Sequence, residues 1–272
     1  MTALPYTRVA LSDSPALVIY VLDISRSMGK PMEDGLTRID VVMRALRSVI
    51  TSMVQRSLRQ GTIRARYRVG MIAYSTDVWD ILDGIKPVGD IDSVPVLHPQ
   101  HRTNTAGGFK VARKMLLDDL ATWTPVMHEH CPAPLIVHMT DGELNEISED
   151  PEPVAESIKA IQVSDGNVLI ENIYVTNDIQ LSNGDVHAWS GYRQGDDTQN
   201  AYGNKLLRFS SILPESYRTV VNSHQKMCLE PGSAMLFPGT SSEFISEAFT
   251  MNGVSSDLGD KRTIDLSLFD EE

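Results

Sequence analysis

Cysteine is scarce in this chain. Two of its 272 residues, Cys131 and Cys228, are too few for a disulfide framework, which fits a reducing compartment better than an exported, cross-linked scaffold. Basic charge is also short. The 24 Lys and Arg face 36 Asp and Glu, for a net charge of −12, and non-specific nucleic-acid binding needs cations to meet phosphates. No apolar run approaches the roughly 20 residues of a membrane-spanning helix. Met1-Thr2-Ala3-Leu4-Pro5-Tyr6 has no basic region leading into a hydrophobic core, and no internal repeat is visible. These absences lead us to expect a cytoplasmic protein that binds neither nucleic acid nor membrane.

What the chain does have is a carboxylate and two hydroxyls at the end of a buried strand. Asp23-Ile24-Ser25-Arg26-Ser27 follows the apolar run Ala16-Leu17-Val18-Ile19-Tyr20-Val21-Leu22. A continuous apolar run reads as a strand covered on both faces, and loops at the carboxyl ends of such parallel strands hold the ligands of open α/β folds. A one-residue gap lets a tight loop aim side chains at one point, whereas helical ligands need three- or four-residue spacing. Hard cations such as Mg2+ and Mn2+ take oxygen donors and keep some of their waters. Short Asp/Ser clusters more often cap helices or make turns, so the motif is weak by itself. Two further segments strengthen it. Pro134-Leu135-Ile136-Val137-His138-Met139-Thr140-Asp141-Gly142-Glu143 repeats the design of an apolar run ending in polar residues, and Arg102-Thr103-Asn104-Thr105-Ala106-Gly107-Gly108-Phe109 opens an amphipathic stretch to Leu120.

These three segments, in this order, resemble the von Willebrand factor A (VWA) domain with its metal-ion-dependent adhesion site, over about 16–249. The resemblance implies that Asp23, Ser25, Ser27, Thr103 and Asp141 form the metal site. It implies that the hydroxyls touch the ion, that the aspartates act mainly through water, and that a protein partner's Asp or Glu carboxylate takes the open position. Arg26 and Arg102 depart from the family pattern by placing cations beside the metal loop. The resemblance further implies a bacterial intracellular type that serves as an adaptor or subunit beside ATPases, kinases or phosphatases, and a movable C-terminal helix over 242–249.

The expected function is therefore a non-catalytic, metal-dependent protein-interaction module using Mg2+, with Mn2+ competent. A metal-dependent phosphohydrolase is the competing reading, because an ion with an open position can activate water. It lacks a clear second functional group, since Glu143 is the only plausible general base. A structural subunit with a vestigial metal loop is the third.

Alternating signals predict a doubly wound α/β fold: a mostly parallel sheet with one antiparallel edge strand and helices on both faces. Helical spacing covers 39–54, 109–120, 154–163, 205–212 and 242–249. Strands are expected at 67–74, 76–82 and 167–176. We expect one domain over 1–257, with a surface insertion at about 177–203 carrying Val186, Trp189 and Tyr192, and an acidic, flexible tail over 258–272. His128-Glu129-His130-Cys131 lacks a second cluster at zinc spacing. His98 and His101, just upstream of Thr103, read as loop histidines rather than gating residues, and Asp77 as a residue near the metal rim rather than a ligand.

Overall fold

The computed structural model of the chain describes residues 5–32, 35–142, 149–176, 188–225, 227–250, 255 and 258. Strand β1 (Ala16–Asp23) passes through one 3-10 turn, Arg26–Gly29, to α1 (Arg38–Ser57). A small hairpin, β2 (Leu58–Arg59) and β3 (Thr62–Ile63), precedes β4 (Tyr67–Tyr74), β5 (Val78–Asp80) and β6 (Lys86–Pro87). Then come α2 (Thr105–Leu120), α3 (Pro125–His130), β7 (Leu135–Thr140) and α4 (Glu152–Lys159). A second hairpin, β8 (Gln162–Val163) and β9 (Gly166–Asn167), leads to β10 (Leu169–Val175). The remaining elements are α5 (Ala201–Phe209), α6 (Glu215–Gln225), β11 (Leu236–Gly239) and α7 (Ser242–Thr250).

The main sheet runs β11-β10-β7-β1-β4-β5, with β6 also on β4. All pairings from β11 to β4 are parallel, and the edge strands β5 and β6 are antiparallel to β4. The expected mostly parallel sheet with an antiparallel edge is thus present, its edge split into two short pieces. Every residue of β1 is buried, as a strand between two helical layers requires. Val18, Tyr20 and Leu22 join a core with residues of α1, α6 and α7, while Leu17, Ile19 and Val21 join one with α2, α4 and α5. Successive side chains on a strand point to opposite faces, so one apolar run serves both cores.

From β1 the chain builds β4 on one side and returns to place β7 on the other. The carboxyl ends of β1 and β7 therefore lie side by side where the winding reverses, the place at which such sheets form a crevice. Gly108 brings α2 close to this end: a Cβ there would lie 2.9 Å from the Tyr74 ring.

Several boundaries differ from the sequence reading. Helix α2 begins at Thr105 because the Asn104 side chain accepts from Gly107 N–H at 3.0 Å and caps it. Helix α4 ends at Lys159 rather than continuing to 163, because Gln162 and Val163 pair with Asn167 and Gly166 in a hairpin turned by Gly166 at φ +146°. Helix α5 spans Ala201–Phe209, starting at the Asn200 cap and stopping where Ser211 N–H donates to Ile170 O. Both α6 and β11 are additional to the elements expected, as is α3, whose end carries His128 and His130. Within the anticipated insertion, Trp189 is buried, with its ring 5.5 Å from Phe237 and 5.3 Å from Phe244. Val186 and the segment 259–272 lie outside the described residues.

Candidate metal centre

Asp23 is the last residue of β1, and its two carboxylate oxygens are used differently. Oδ1 accepts the Ser25 N–H at 2.7 Å, which turns the loop back over the strand end. Oδ2 accepts the Thr140 hydroxyl at 2.7 Å, tying β1 to the adjacent end of β7. The Ser25 and Ser27 hydroxyl oxygens stand 3.1 Å apart. Ser25 is buried and Ser27 half-buried, at the start of the 3-10 turn.

Thr103 arrives from a segment joined to this loop through the backbone. Gln100 N–H donates to Ile24 O at 2.6 Å and Arg26 N–H to His101 O at 3.2 Å, with Ser25 and Gln100 forming a parallel bridge. The buried Thr103 follows, and the chain then enters α2. Asn104 secures the turn by donating from Nδ2 to Thr76 O at 3.2 Å.

Asp141 follows β7 and is 2% exposed. Arg38 Nη1 donates to its Oδ2 at 2.8 Å, and the Arg38 side chain is itself only 8% exposed. Next to it, Gly142 at φ +74° donates its N–H to Thr140 Oγ1 at 2.9 Å. A Cβ on Gly142 would sit 2.8 Å from both Tyr174 and Tyr202, so glycine is required by backbone conformation and by space.

Burial, and then the nearby Asp141 carboxylate, push Asp23 up to about 7, against the hydrogen bonds from Thr140 and Ser25 that favour its charged form. Two buried carboxylates, with the Ser25, Ser27 and Thr103 hydroxyls on adjoining loops, offer a hard, all-oxygen donor set. Among the described residues, no group of three or more His, Cys, Asp or Glu could hold a metal, so an ion at this end must rely on hydroxyls beside Asp23 and Asp141. Their chemistry fits Mg2+ or Mn2+. The mutual repulsion that raises Asp23 is what a divalent cation would relieve.

A buried polar layer supports the centre from below. Tyr74 OH lies 2.7 Å from His138 Nε2, and His138 Nδ1 lies 2.7 Å from Asn172 Oδ1. The Asn172 amide donates to Ser210 Oγ at 2.9 Å. With the Asn172 oxygen accepting, Nδ1 carries the proton and Nε2 accepts from Tyr74. Burial pushes His138 down to about 4, consistent with a neutral ring.

Asp23, Ser25, Ser27, Thr103 and Asp141 thus stand on the loops at one end of the sheet. Asp77, His98 and His101 are exposed, and Glu143 lies outside the described residues. Cys131 is buried with its thiol pushed up to about 12 by burial, Cys228 is exposed, and both are free. Sequence reasoning missed Arg38 and the direct role of Thr140. The available signal for Arg38 was its place on the apolar stripe of α1, in line with Val41, Val42 and Ala45.

No protein-family model matches the chain, and no curated protein matches it. Solved structures do. The PilB minor pilin from Streptococcus sanguinis aligns over 90% of this chain and 62% of its own, at 13% identity and TM-score 0.51. Proximal thread matrix protein 1 from the mussel byssus, also solved with a zinc-occupied MIDAS motif, aligns over 90% of this chain and 48% of its own, at 17% identity and TM-score 0.49. The vWF domain of the type V pili tip protein Mfa5 from Porphyromonas gingivalis aligns over 50% and 40%, at 21% identity and TM-score 0.34. The chain spans less than two thirds of each of these proteins, and at such identities the likeness concerns the fold alone. That fold is a doubly wound α/β domain with a mostly parallel sheet and an antiparallel edge.

Proposed function

We propose that the chain is a non-catalytic, metal-dependent protein-interaction module. Asp23, Ser25, Ser27, Thr103 and Asp141 hold Mg2+, with Mn2+ competent, and a partner's Asp or Glu carboxylate completes the coordination. The observation that carries this reading is the charge balance of the centre. Asp141 is already bonded to the Arg38 cation, while Asp23 is held by neutral donors, the Ser25 N–H and the Thr140 hydroxyl. A divalent ion there keeps net positive charge and is short of anionic ligands. The residues' own part is to orient oxygens: Thr140 and the Ser25 N–H fix the Asp23 carboxylate, and Arg38 fixes Asp141.

In this reading the two described carboxylates of the centre serve to orient the ion, Asp23 through its two hydrogen bonds and Asp141 through Arg38. The phosphohydrolase remains the competing reading, and the turnover assay below decides between them. We place the module in the cytoplasm, as an adaptor or subunit of a larger assembly, on the basis of scarce cysteine and acidic charge. No described helix is long and apolar enough to cross a membrane.

The test is capture of partners from the host's lysate with tagged protein, in parallel with Mg2+ and with chelator. A partner kept with Mg2+ and lost on chelation and in Ser25→Ala supports the module. An identical set in all samples overturns it in favour of a structural subunit. Turnover of chromogenic phosphates that Asp141→Ala abolishes overturns it in favour of the hydrolase.

A further inference from the structure

We propose that this centre selects partners carrying two neighbouring carboxylates, one for the ion and the second for the guanidinium groups of Arg26 and Arg102. This rests on the metal-bridged reading above and specifies its ligand as an acidic peptide segment rather than a single acidic residue.

Arg26 lies between Ser25 and Ser27, and Arg102 immediately precedes Thr103. The backbone bonds that join the two segments, Gln100 to Ile24 and Arg26 to His101, bring the two arginines to the same mouth from adjoining loops. Both are exposed. Among the described residues neither side chain makes an ion pair or hydrogen bond, although Arg68, Lys110, Lys114, Lys159, Lys205, Arg208 and Arg218 each close on a carboxylate. Asp77 stands in the neighbouring turn, where Thr76 Oγ1 accepts the Arg102 N–H at 3.4 Å, yet its carboxylate does not pair with either arginine. Exposed Arg44, Arg47 and Arg64 are unpaired among the described residues as well, and what sets Arg26 and Arg102 apart is their place on two backbone-joined loops beside Ser25, Ser27 and Thr103.

The third cation, Arg38, is spent internally on Asp141. It reduces the negative charge that the centre offers an ion, so the remaining charge has to come from the partner. A planar guanidinium can bind a carboxylate through two parallel hydrogen bonds. Because Arg26 and Arg102 are exposed, their contribution should be modest, salt-sensitive and directed at specificity and association rate.

The full chain loaded with Mn2+ is titrated calorimetrically at low ionic strength with two end-capped peptides, Gly-Gly-Asp-Gly-Gly and Gly-Asp-Gly-Asp-Gly. The two-acid peptide should bind about tenfold more tightly, an advantage typical of one or two charge-assisted contacts. In the Arg26→Gln, Arg102→Gln double variant, and at high salt, the ratio should fall to about two, the statistical advantage of two carboxylates for one ion. Equal affinities in the wild type overturn the inference while leaving the metal-bridged reading standing. A tenfold advantage that survives the double variant also overturns it. Binding of neither peptide by the loaded chain overturns both.

Discussion

Arg38 and Asp141 form a buried ion pair across the mouth of the sheet, with Nη1 and Oδ2 2.8 Å apart. Arg38 is the first residue of α1, where the helix dipole disfavours a cation. Its placement there is explained by Asp141 at the end of β7. The pair fixes one of the two carboxylates of the candidate centre and limits the site's negative charge to little more than that of Asp23.

Arg38→Met should therefore destabilise the metal-free protein by about 3–5 kcal/mol, the usual cost of removing one partner from a buried pair. Saturating Mg2+ should recover part of that loss by supplying a replacement cation beside Asp141. Denaturant unfolding with Mg2+ and with chelator measures both. An equal loss under the two conditions would place Arg38 outside the centre's electrostatics.

Thr140→Val keeps side-chain shape but removes the donor to Asp23 Oδ2 and the acceptor for Gly142 N–H. Loss of a buried partner should cost about 1–3 kcal/mol of stability. Metal affinity should fall as well, because Asp23 is no longer held in orientation. A variant with lowered stability but wild-type Mn2+ affinity would show that Thr140 serves the fold alone.

His138 predicts a pH dependence. Burial pushes its imidazole from 6.5 down to about 4, so the unfolded chain takes up a proton in a range where the folded chain does not. Stability from the neutral ring is fully present above about pH 6.5 and is lost as pH falls toward 4, by about 3 kcal/mol in all. Asp23 and Glu171 also have raised carboxyl groups, so the clean observable is the stability difference between wild type and His138→Asn. That difference should favour the wild type more at pH 7 than at pH 4.5. A difference independent of pH would mean that the ring is not held neutral.

The parts legible in the sequence were those set by uninterrupted patterns. The apolar runs before Asp23 and Asp141 had to be central strands, and the spacing from Ile39 onward had to be a helix covering them. Strand β11 was less visible because it is four residues long and contains Pro238, which an edge position tolerates. Helix α6 buries Tyr217, Val220 and Val221 in a short amphipathic stretch, a weaker signal than that of α1. Arg38 was hidden for a different reason: an arginine at a helix start reads as a solvated charge until Asp141, 103 residues away in sequence, is placed beside it. The buried layer Tyr74–His138–Asn172 depends in the same way on strand order, which local sequence does not specify.

The central claim is most directly tested by calorimetric titration of Mn2+ into the metal-free chain and into Ser25→Ala and Asp141→Asn. We predict one ion per wild-type chain, with binding weakened by at least about tenfold in each variant, in line with loss of a metal ligand or of its hydrogen-bonded support, while both variants stay folded by circular dichroism. No saturable binding by the wild type, or binding unchanged in both variants, would contradict a metal centre at Asp23, Ser25, Ser27, Thr103 and Asp141.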